Sequence, residues 1–407
     1  VAAGNPSRAK IEINPDSRDE QGHQWAIGNF QVHPLPATMK QMMWDYGSLK
    51  PDQELEFISK RLRFLQAKEG LLDNEVKTLI DLVYASQKET RDLAREHIKH
   101  CVEQSGCAIS EKELDSRASS SVSLRDILRV FKLFSFLNSC CGEMEAVFLP
   151  GVKSLQQRRH RAMLLSLAIC YFVRLGSDTS DLDKDYRRRF RTRLKTECGQ
   201  QDADVEGALE KAMAALMKQT SLEPGIAQTQ GLKENLFMVV ICCLAQVPLM
   251  IVGPPGSSKT LAVTVVSENA RGEYSKSNFY KAAPTLIPFH YQCSRRSSSK
   301  EIEAVFERAI ERQAKADNEK TGAIRCFVFM DEAGLPEEER ESLKVLHYYL
   351  EDHMAVAAQV GFVAITNHLL DAAKANRCAQ LTRAKPDHKE LMSIARGCLG
   401  SEDERLR

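Results

Sequence analysis

The chain has 407 residues, of which 43% are hydrophobic, and this length and composition predict two or three globular domains with packed cores. Lysine and arginine (56) nearly balance aspartate and glutamate (55), so no overall charge indicates nucleic acid or an anionic membrane as the principal partner. The twelve cysteines have no C-x-x-C spacing and lie mostly in apolar runs, which favours reduced thiols over disulfides or a zinc site. We therefore expect a cytoplasmic protein without a transmembrane segment.

The first part of the chain is polar. Residues 1–24 contain Gly4 and Pro6 and show no sustained hydrophobic period, which indicates a linker. Residues 30–36 alternate briefly like a strand and are interrupted by prolines, so we predict a short strand there. The chain opens on Val1 without an initiator methionine or a signal-peptide pattern, and we expect it to be a segment of a longer protein.

Helices are predicted from there to about residue 230. Pro51 suits a first helical position and Gly70 suits the residue after a helix end, so the first helix is predicted over residues 51–69. Apolar spacing predicts further helices over 71–86, over 90–104, after a cap at Ser121 or Ser123, and over 154–173, 182–196 and 202–218. A break around 138–151 divides this part into an all-α block over 49–150, preceded by the linker over 1–48, and a helical connector over 151–230.

From Gly231 the pattern changes to short apolar strands that alternate with helices, which is typical of a parallel α/β sheet. The apolar run over 236–252 contains Gln246 and Pro248, so it predicts a buried helix and a core strand rather than a membrane span. Strands are predicted near 249–252, 287–293, 324–330, 360–366 and 378–382. Helices are predicted near 259–269, 299–317, 337–351 and 369–376. The expected fold of residues 231–385 is a five-stranded parallel sheet with helices.

The first of these strands leads into a candidate phosphate-binding loop, or P-loop. Its residues are Gly253, Pro254, Pro255, Gly256, Ser257, Ser258, Lys259 and Thr260. In such a loop the backbone N–H groups and the lysine ammonium bind the phosphates of a nucleotide, and the threonine hydroxyl is a ligand for Mg²⁺. The P-loop pattern requires glycine immediately before the lysine, where this chain has Ser258, whose side chain restricts the backbone. ATP and Mg²⁺ are the predicted ligands, and the alternative is a Gly/Pro-rich turn without a ligand.

Polar residues flank the third, fourth and fifth strands of the predicted sheet. Asp331 and Glu332 come directly after the third strand; we predict that Asp331 holds Mg²⁺ and that Glu332 orients and deprotonates the attacking water. Asn367 follows the fourth strand and either positions the same water or is only a polar strand end. Arg377 precedes the fifth strand and either projects toward a neighbouring module's nucleotide, as a catalytic arginine, or is an ordinary surface residue.

The order of these motifs resembles an AAA+ ATPase module, an α/β P-loop NTPase, over Gly231 to about Gly400. More narrowly, residues 253–260, 328–336 and 364–367 resemble the giant mysterin-type ring-finger ubiquitin ligases, which carry tandem dynein-like AAA+ modules in one chain. In that family serine before the P-loop lysine is also tolerated. The resemblance implies a parent protein that acts with the ubiquitin machinery, and no ligase site is visible in this sequence.

The same resemblance implies a domain organisation for the whole chain. It implies that residues 1–48 end a preceding AAA+ module, that 49–150 form the helical lid of that module, and that 386–407 begin the lid of the module at 231–385. Arg125 resembles the sensor 2 arginine that reaches the γ-phosphate of the preceding module, and the alternative is a helix N-terminal arginine without a ligand. In a dynein-like order Arg125 and Arg377 both serve the preceding site, so neighbouring modules are the expected partners.

Two further alternatives stay open. The basic run over 187–195 is a candidate patch for nucleic acid or an acidic partner, and the competing reading, which we favour, is a solvated helix face balanced by the aspartates at 178–185. The principal alternative to an ATPase is a nucleotide-binding scaffold that holds ATP without turnover. Glu332 argues against the scaffold because a purely structural site needs no base for water, and Ser258 argues for it.

Overall fold

The computed structural model of the chain describes residues 50–104, 110–175, 186–197, 203–319, 324–337, 340–351, 360–367 and 370–399. The linker and short strand predicted within residues 1–48, and the last part of the lid predicted over 386–407, lie outside the described residues.

The centre of the fold is a parallel five-stranded sheet with the order β2-β3-β4-β1-β5. The strands are β1 (Leu249–Val252), β2 (Thr285–Gln292), β3 (Ile324–Asp331), β4 (Gly361–Thr366) and β5 (Ala379–Thr382). β1 lies between two strands: Leu249 pairs with Val363 of β4 on one side and with Ala379 of β5 on the other. This arrangement confirms the predicted α/β fold, and each predicted strand is placed to within about two residues of its observed bounds.

Alternate residues of the strands pack into two different cores. Leu249 and Ile251 belong to a core shared with the helical part of the chain, whereas Met250 and Val252 belong to a core on the opposite face. Both faces of β1 and β4 are covered along their length, as is typical of buried parallel strands, whereas the edge strand β2 has partly exposed and exposed residues. The helices of the α/β part are α9 (Gln230–Ala245), α10 (Lys259–Asn269), α11 (Asn278–Ala282), α12 (Ser299–Glu319), α13 (Leu346–Tyr349), α14 (Ala372–Ala375) and α15 (His388–Leu399).

The preceding part is all-α, as predicted. Its helices are α1 (Pro51–Glu69), α2 (Asp73–Gln104), α3 (Glu111–Ser121), α4 (Leu124–Ser139), α5 (Gly142–Phe148), α6 (Leu155–Leu167), α7 (Tyr186–Glu197) and α8 (Val205–Gln219), with a π-helical turn over Ala168–Phe172. The start and end of α1 agree with the prediction, and Gly70 follows it with φ +64°, a left-handed conformation that suits glycine. Ser123 is the residue that caps α4.

Two helix predictions are wrong. The helices predicted over 71–86 and 90–104 form one helix, α2, because the residues between them include no glycine or proline that would interrupt it. The helix predicted over 337–351 is reduced, within the described residues, to a 3-10 turn over Ser342–Val345 and the single turn of α13.

Buried ion pairs join the helical part to the sheet. Glu234 of α9, whose side chain is 3% exposed, pairs with Arg187 of α7 and with Arg383, which follows β5. Arg129 of α4 pairs with Asp126 and donates to the backbone oxygen of Asn376, just before β5. These contacts and the shared apolar core fix the helices against the sheet.

The sequence predicts reduced thiols and no transmembrane segment. Nine cysteines within the described ranges are free thiols, and seven of those are buried. Burial raises the pKa of the Cys170 thiol to about 12, so that thiol is unreactive at neutral pH. In the same ranges, no helix combines the length and apolar character needed to cross a bilayer.

Candidate functional site

Five predicted site residues converge at the carboxyl edge of the sheet. Lys259 Nζ donates to Asn367 Oδ1 over 3.2 Å, and Asn367 Nδ2 donates to Glu332 Oε2 over 3.2 Å. Thr260 Oγ1 lies 3.5 Å from Asp331 Oδ2. This convergence follows from the strand order, because β1 lies beside β4, β4 lies beside β3, and parallel strands end at the same edge. The Asn367 amide therefore links the lysine to the glutamate.

The loop between β1 and α10 depends on its two glycines. Gly256 has φ +81°, in the left-handed region that favours glycine. At Gly253 a Cβ atom would lie 2.6 Å from Cβ of Arg383, so a side chain there would collide with the segment after β5. Asn235 of α9 supports the loop from below, since its Nδ2 donates to the Ser257 backbone oxygen over 2.8 Å. The loop is thus held by a residue that precedes it in the sequence and by one that follows it.

Ser258 shows why the P-loop pattern asks for glycine at this position. Its backbone has φ +56° and ψ 28°, a left-handed conformation that is unfavourable for residues with a Cβ atom. The serine therefore preserves the left-handed turn before α10, with some conformational strain.

Replacing Ser258 with glycine is expected to stabilise the chain by about 0.5–1 kcal/mol, because the released strain exceeds the extra entropy that glycine gives the unfolded state. The measurement is urea unfolding of both proteins at pH 7. Ser267→Gly, in the last turn of α10, is the matched control and is expected to destabilise the fold instead. A loss of stability in Ser258→Gly would contradict the assignment of strain to this residue.

Lys259 is the most strongly perturbed charged group of the site. Only 7% of the residue is exposed, and Nζ donates to the backbone oxygens of Gly253 (2.7 Å) and Pro254 (2.8 Å). Burial lowers the pKa of this ammonium to about 8, and the nearby carboxylates of Glu332 and Asp331 offset only part of that effect. Phosphate oxygens would provide the ammonium with stronger, charged acceptors in place of the loop carbonyls.

The two carboxylates after β3 are held in different ways. The Asp331 side chain accepts a hydrogen bond from the Glu332 backbone N–H over 3.0 Å, which orients it at the strand end. Glu332 has φ +54°, and such left-handed non-glycine residues persist where the surrounding structure enforces them, often at functional sites. Just beyond it, the Ala333 N–H donates to the Ile365 oxygen of β4 over 2.8 Å, which ties this turn to the neighbouring strand.

These residues fit a magnesium-bound triphosphate. The Thr260 hydroxyl and Asp331 carboxylate lie side by side and are the hard oxygen ligands that Mg²⁺ prefers. The loop from Gly253 to Thr260 leads directly into the N-terminus of α10, where backbone N–H groups favour an anion. The lysine ammonium completes a set of donors for phosphate oxygens.

Asn235 and Arg383 support the loop, and neither is among the site residues predicted from the sequence. Asn235 is completely buried, and Arg383 is 8% exposed. A signal was present for the first of them, because Glu234 and Asn235 are polar residues next to a long apolar run in α9. Arg383 had no comparable signal, since it follows a short strand in an ordinary polar segment.

The remaining predicted residues, Arg125 and Arg377, do not join the Lys259 site. Arg377 lies two residues before β5, whose first residue pairs with the first residue of β1, so it is at the opposite edge of the sheet from the loop. Both arginines contact the carboxylate of Glu351, which is not among the residues predicted from the sequence. Arg125 Nη2 donates to Glu351 Oε1 over 2.8 Å, and Arg377 Nη2 donates to Oε2 over 2.9 Å.

The basic run of α7 is largely ion-paired. Arg187 contacts Glu234, Arg189 contacts Glu96, and Arg193 contacts Glu89. These partners are glutamates from other helices, whereas the aspartates at 178–185 lie outside the described residues. Between the arginines, Phe190 is completely buried in the core. This pairing favours a helix face with neutralised charge over an open basic patch.

Comparison with known proteins is consistent with this geometry. Residues 225–390 match a family model described as the RNF213 AAA domain. The chain is 28% identical over 389 residues to the E3 ubiquitin-protein ligase RNF213 of Homo sapiens, covering 92% of this chain and 7% of that protein. It is also 28% identical over 411 residues to rnf213-beta, an E3 ubiquitin-protein ligase of Danio rerio, covering 98% and 7% of the two chains.

A third relative differs from these two in its name. This Dictyostelium discoideum protein, named as an uncharacterized transmembrane protein, is 26% identical over 403 residues, with 93% of this chain and 7% of that protein covered. The chain thus spans about 7% of the length of each of these relatives. The parallel sheet, the loop before α10 and the family match agree, and together they support an AAA+ module of the RNF213 type over residues 225–390.

Proposed function

We propose that this module binds ATP with Mg²⁺ at the loop from Gly253 to Thr260 and hydrolyses it. The observation that supports the proposal most strongly is the chain of contacts from Lys259 through Asn367 to Glu332 at the carboxyl edge of the sheet. A site that only bound phosphate would need the lysine and the loop, but not a carboxylate held at this position.

Each side chain has a distinct role in this proposal. Lys259 and the loop N–H groups bind the phosphates, and Thr260 and Asp331 hold the metal. Bound Mg²⁺ supplies positive charge that neutralises the phosphate oxygens. Glu332 orients a water molecule and accepts its proton, while Asn367 keeps the glutamate carboxylate in a fixed position. Asn367 also contacts Lys259, so movement of the ammonium toward a phosphate would change the hydrogen bonds that hold the glutamate.

We also propose the wider context that the sequence predicts. Residues 49–150 would be the lid of a preceding module, 151–230 a connector, 231–385 the large subdomain and 386–407 the start of its lid. The names of the human and zebrafish relatives support a parent protein that is an E3 ubiquitin ligase and works with the ubiquitin machinery. The free buried thiols support a reducing, cytoplasmic location.

The test of the proposed function is the substitution Glu332→Gln in this chain. We expect MgATP affinity to change less than about threefold, and phosphate release to fall by about 10²–10⁴, because only the water base is lost. Calorimetric titration measures the first quantity and a phosphate-release assay the second. Turnover of the parent chain is expected to be slow, since an arginine from a neighbouring module contributes about 10³–10⁵ in rate.

The scaffold alternative makes the opposite prediction. The left-handed Ser258 favours it, because strain in the phosphate loop would hinder the adjustments that turnover needs. If the parent chain binds MgATP but its phosphate release equals that of Glu332→Gln, the hydrolysis proposal fails and the scaffold is supported. If calorimetry of the folded chain detects no MgATP binding, both proposals fail.

A further inference from the structure

The loop before α10 is held between two residues from different parts of the chain. On one side, Asn235 of α9 donates from Nδ2 to the Ser257 backbone oxygen over 2.8 Å. On the other side, the backbone N–H of Arg383 donates to the Val252 oxygen over 2.7 Å, and the Cβ of this arginine leaves no room for a side chain at Gly253. The position of the loop therefore depends on where α9 and the segment after β5 lie.

One carboxylate ties these two supports together. Glu234 directly precedes Asn235 in α9, and its Oε2 accepts a hydrogen bond from Arg383 Nη1. Its Oε1 accepts from Arg187 Nη1 over 2.6 Å. Arg187 belongs to α7 and is itself anchored, because its Nε donates to the Leu175 backbone oxygen over 2.7 Å. This arginine of the helical part is thus joined to both supports of the loop through a single buried carboxylate.

A second connection joins the same arginine to β5. The backbone oxygen of Val173, which follows the π-helical turn, accepts from the Thr382 N–H over 3.3 Å and from Arg187 Nη2 over 3.3 Å. Thr382 is the last residue of β5 and directly precedes Arg383. The helical part therefore reaches the segment beside the loop through one side-chain contact and one backbone contact.

Two polar atoms beside the loop are left without hydrogen-bond partners. Asn235 Oδ1 and Arg383 Nε are buried, and neither finds a partner within the part of the chain that the structure describes. Buried polar groups without partners cost stability, so apolar residues of similar shape would hold the loop at lower cost. Departures of this kind are expected where function requires them. The arrangement therefore suits control of the loop better than stability alone.

We propose that Arg187 sets the affinity of the loop for phosphate groups through Glu234. Asn235 and Arg383 are the positioning residues that transmit its effect to the loop. Without Arg187, the two supports can shift, and the loop must then be ordered at the expense of binding free energy. A shift of α7 relative to the sheet would in this way change MgATP affinity. The identification of the ligand as MgATP rests on the proposed function, whereas the positioning of the loop does not.

The test measures hydrogen exchange of the loop amides over 256–260, and MgATP affinity by calorimetry, in the 407-residue chain. Arg187→Met and Asn235→Leu are each expected to speed loop exchange about tenfold and to weaken MgATP binding about tenfold. Arg187→Lys keeps the charge beside Glu234 but not the planar donor group, so its values should lie between those of the parent and of Arg187→Met. Arg191→Met, one turn further along α7, removes a pair that is about one-third exposed and should change both quantities less than about twofold.

A general loss of stability is distinguished from a loss of loop position. Val240→Ala removes buried apolar volume from α9 and is expected to lower the free energy of unfolding without speeding exchange of the loop amides. Urea unfolding and the exchange of β3 amides are measured for every variant. Arg187→Met also breaks a buried ion pair, so Arg187→Lys and Asn235→Leu provide the test if that variant does not fold.

Two results would overturn the proposal. If loop exchange in the Arg187 and Asn235 variants changes no more than in Val240→Ala, these residues serve stability alone. If loop exchange is faster but MgATP affinity equals that of the parent, the position of the loop does not set the affinity. Absence of MgATP binding in the parent chain is a failure of the proposed function instead, and loop exchange then decides whether Arg187 positions the loop.

Discussion

Replacing Glu234 with glutamine is expected to lower the free energy of unfolding by about 3 kcal/mol. Glu234 accepts from Arg187 Nη1 over 2.6 Å and from Arg383, and only 3% of its side chain is exposed. The substitution keeps the size of the side chain but leaves two buried guanidinium groups without a counter-charge. Urea unfolding monitored by circular dichroism measures the effect.

The pH dependence of this effect has a definite sign. Burial raises the pKa of Glu234, but Arg187 and Arg383 lower it further, so the net result is a pKa below its usual range. The stabilisation by Glu234 is therefore present above the unfolded-state pKa of about 4.3 and is lost as the pH falls toward the folded-state pKa. The difference in stability between the parent and Glu234→Gln should shrink in the same interval.

A matched control separates burial from charge. Glu206 pairs with Arg191, but each of these side chains is about one-third exposed (33% and 34%). Solvent screens this pair, so Glu206→Gln is expected to cost less than about 1 kcal/mol. Equal effects of Glu206→Gln and Glu234→Gln would contradict the structural importance of the buried pairs between α7, α9 and Arg383.

Replacing Lys259 with methionine is expected to have two opposite effects. MgATP affinity should fall by about 10²–10³, because the ammonium is the one side-chain cation of the described loop and charge-assisted bonds to phosphate are strong. Without nucleotide, the free energy of unfolding at pH 7 should rise by about 1–2 kcal/mol, because methionine avoids the cost of burying an ammonium. Calorimetric titration and urea unfolding measure the two effects.

The stability effect depends on pH in a way that identifies its cause. The folded-state pKa of Lys259 is about 8, below the ordinary value of 10.5, so below about pH 8 both states are protonated and the full cost is present. As the pH rises from about 8 to 10.5 the folded protein becomes more stable, and the advantage of methionine should disappear. With saturating MgATP the order of stability should reverse, because only the parent gains binding energy.

Lys276→Met removes an exposed lysine and serves as the control for both measurements. Both the MgATP affinity of Lys276→Met and the pH dependence of its free energy of unfolding should be close to those of the parent. If Lys259→Met is less stable than the parent at pH 7 without nucleotide, the ammonium is not destabilised by burial. If Lys259→Met retains the parent's MgATP affinity, nucleotide does not bind at this loop.

The places where prediction from sequence failed have a common physical basis. Two helices were predicted where α2 is continuous, and one helix was predicted over 337–351 where only short turns are described. The local residue preferences of both segments permit more than one structure, so packing determines where a helix ends. Ser258 was recognised as a departure from the P-loop pattern, but only its φ of +56° shows that the left-handed turn is kept with serine. Glu351 carried no local signal, because its partners Arg125 and Arg377 belong to other elements.

By itself the sequence determined the parallel α/β fold, the five strands and the residues at the carboxyl edge of the sheet. These follow from local patterns: apolar runs of strand length, a Gly/Pro loop before a helix, and polar residues at strand ends. Only the tertiary structure decided which carboxylates pair with which arginines, as for Glu234 with Arg383, 149 residues away. The physical reason is that an ion pair depends on distance in space and on burial, and neither is encoded in the residues next to it in the chain.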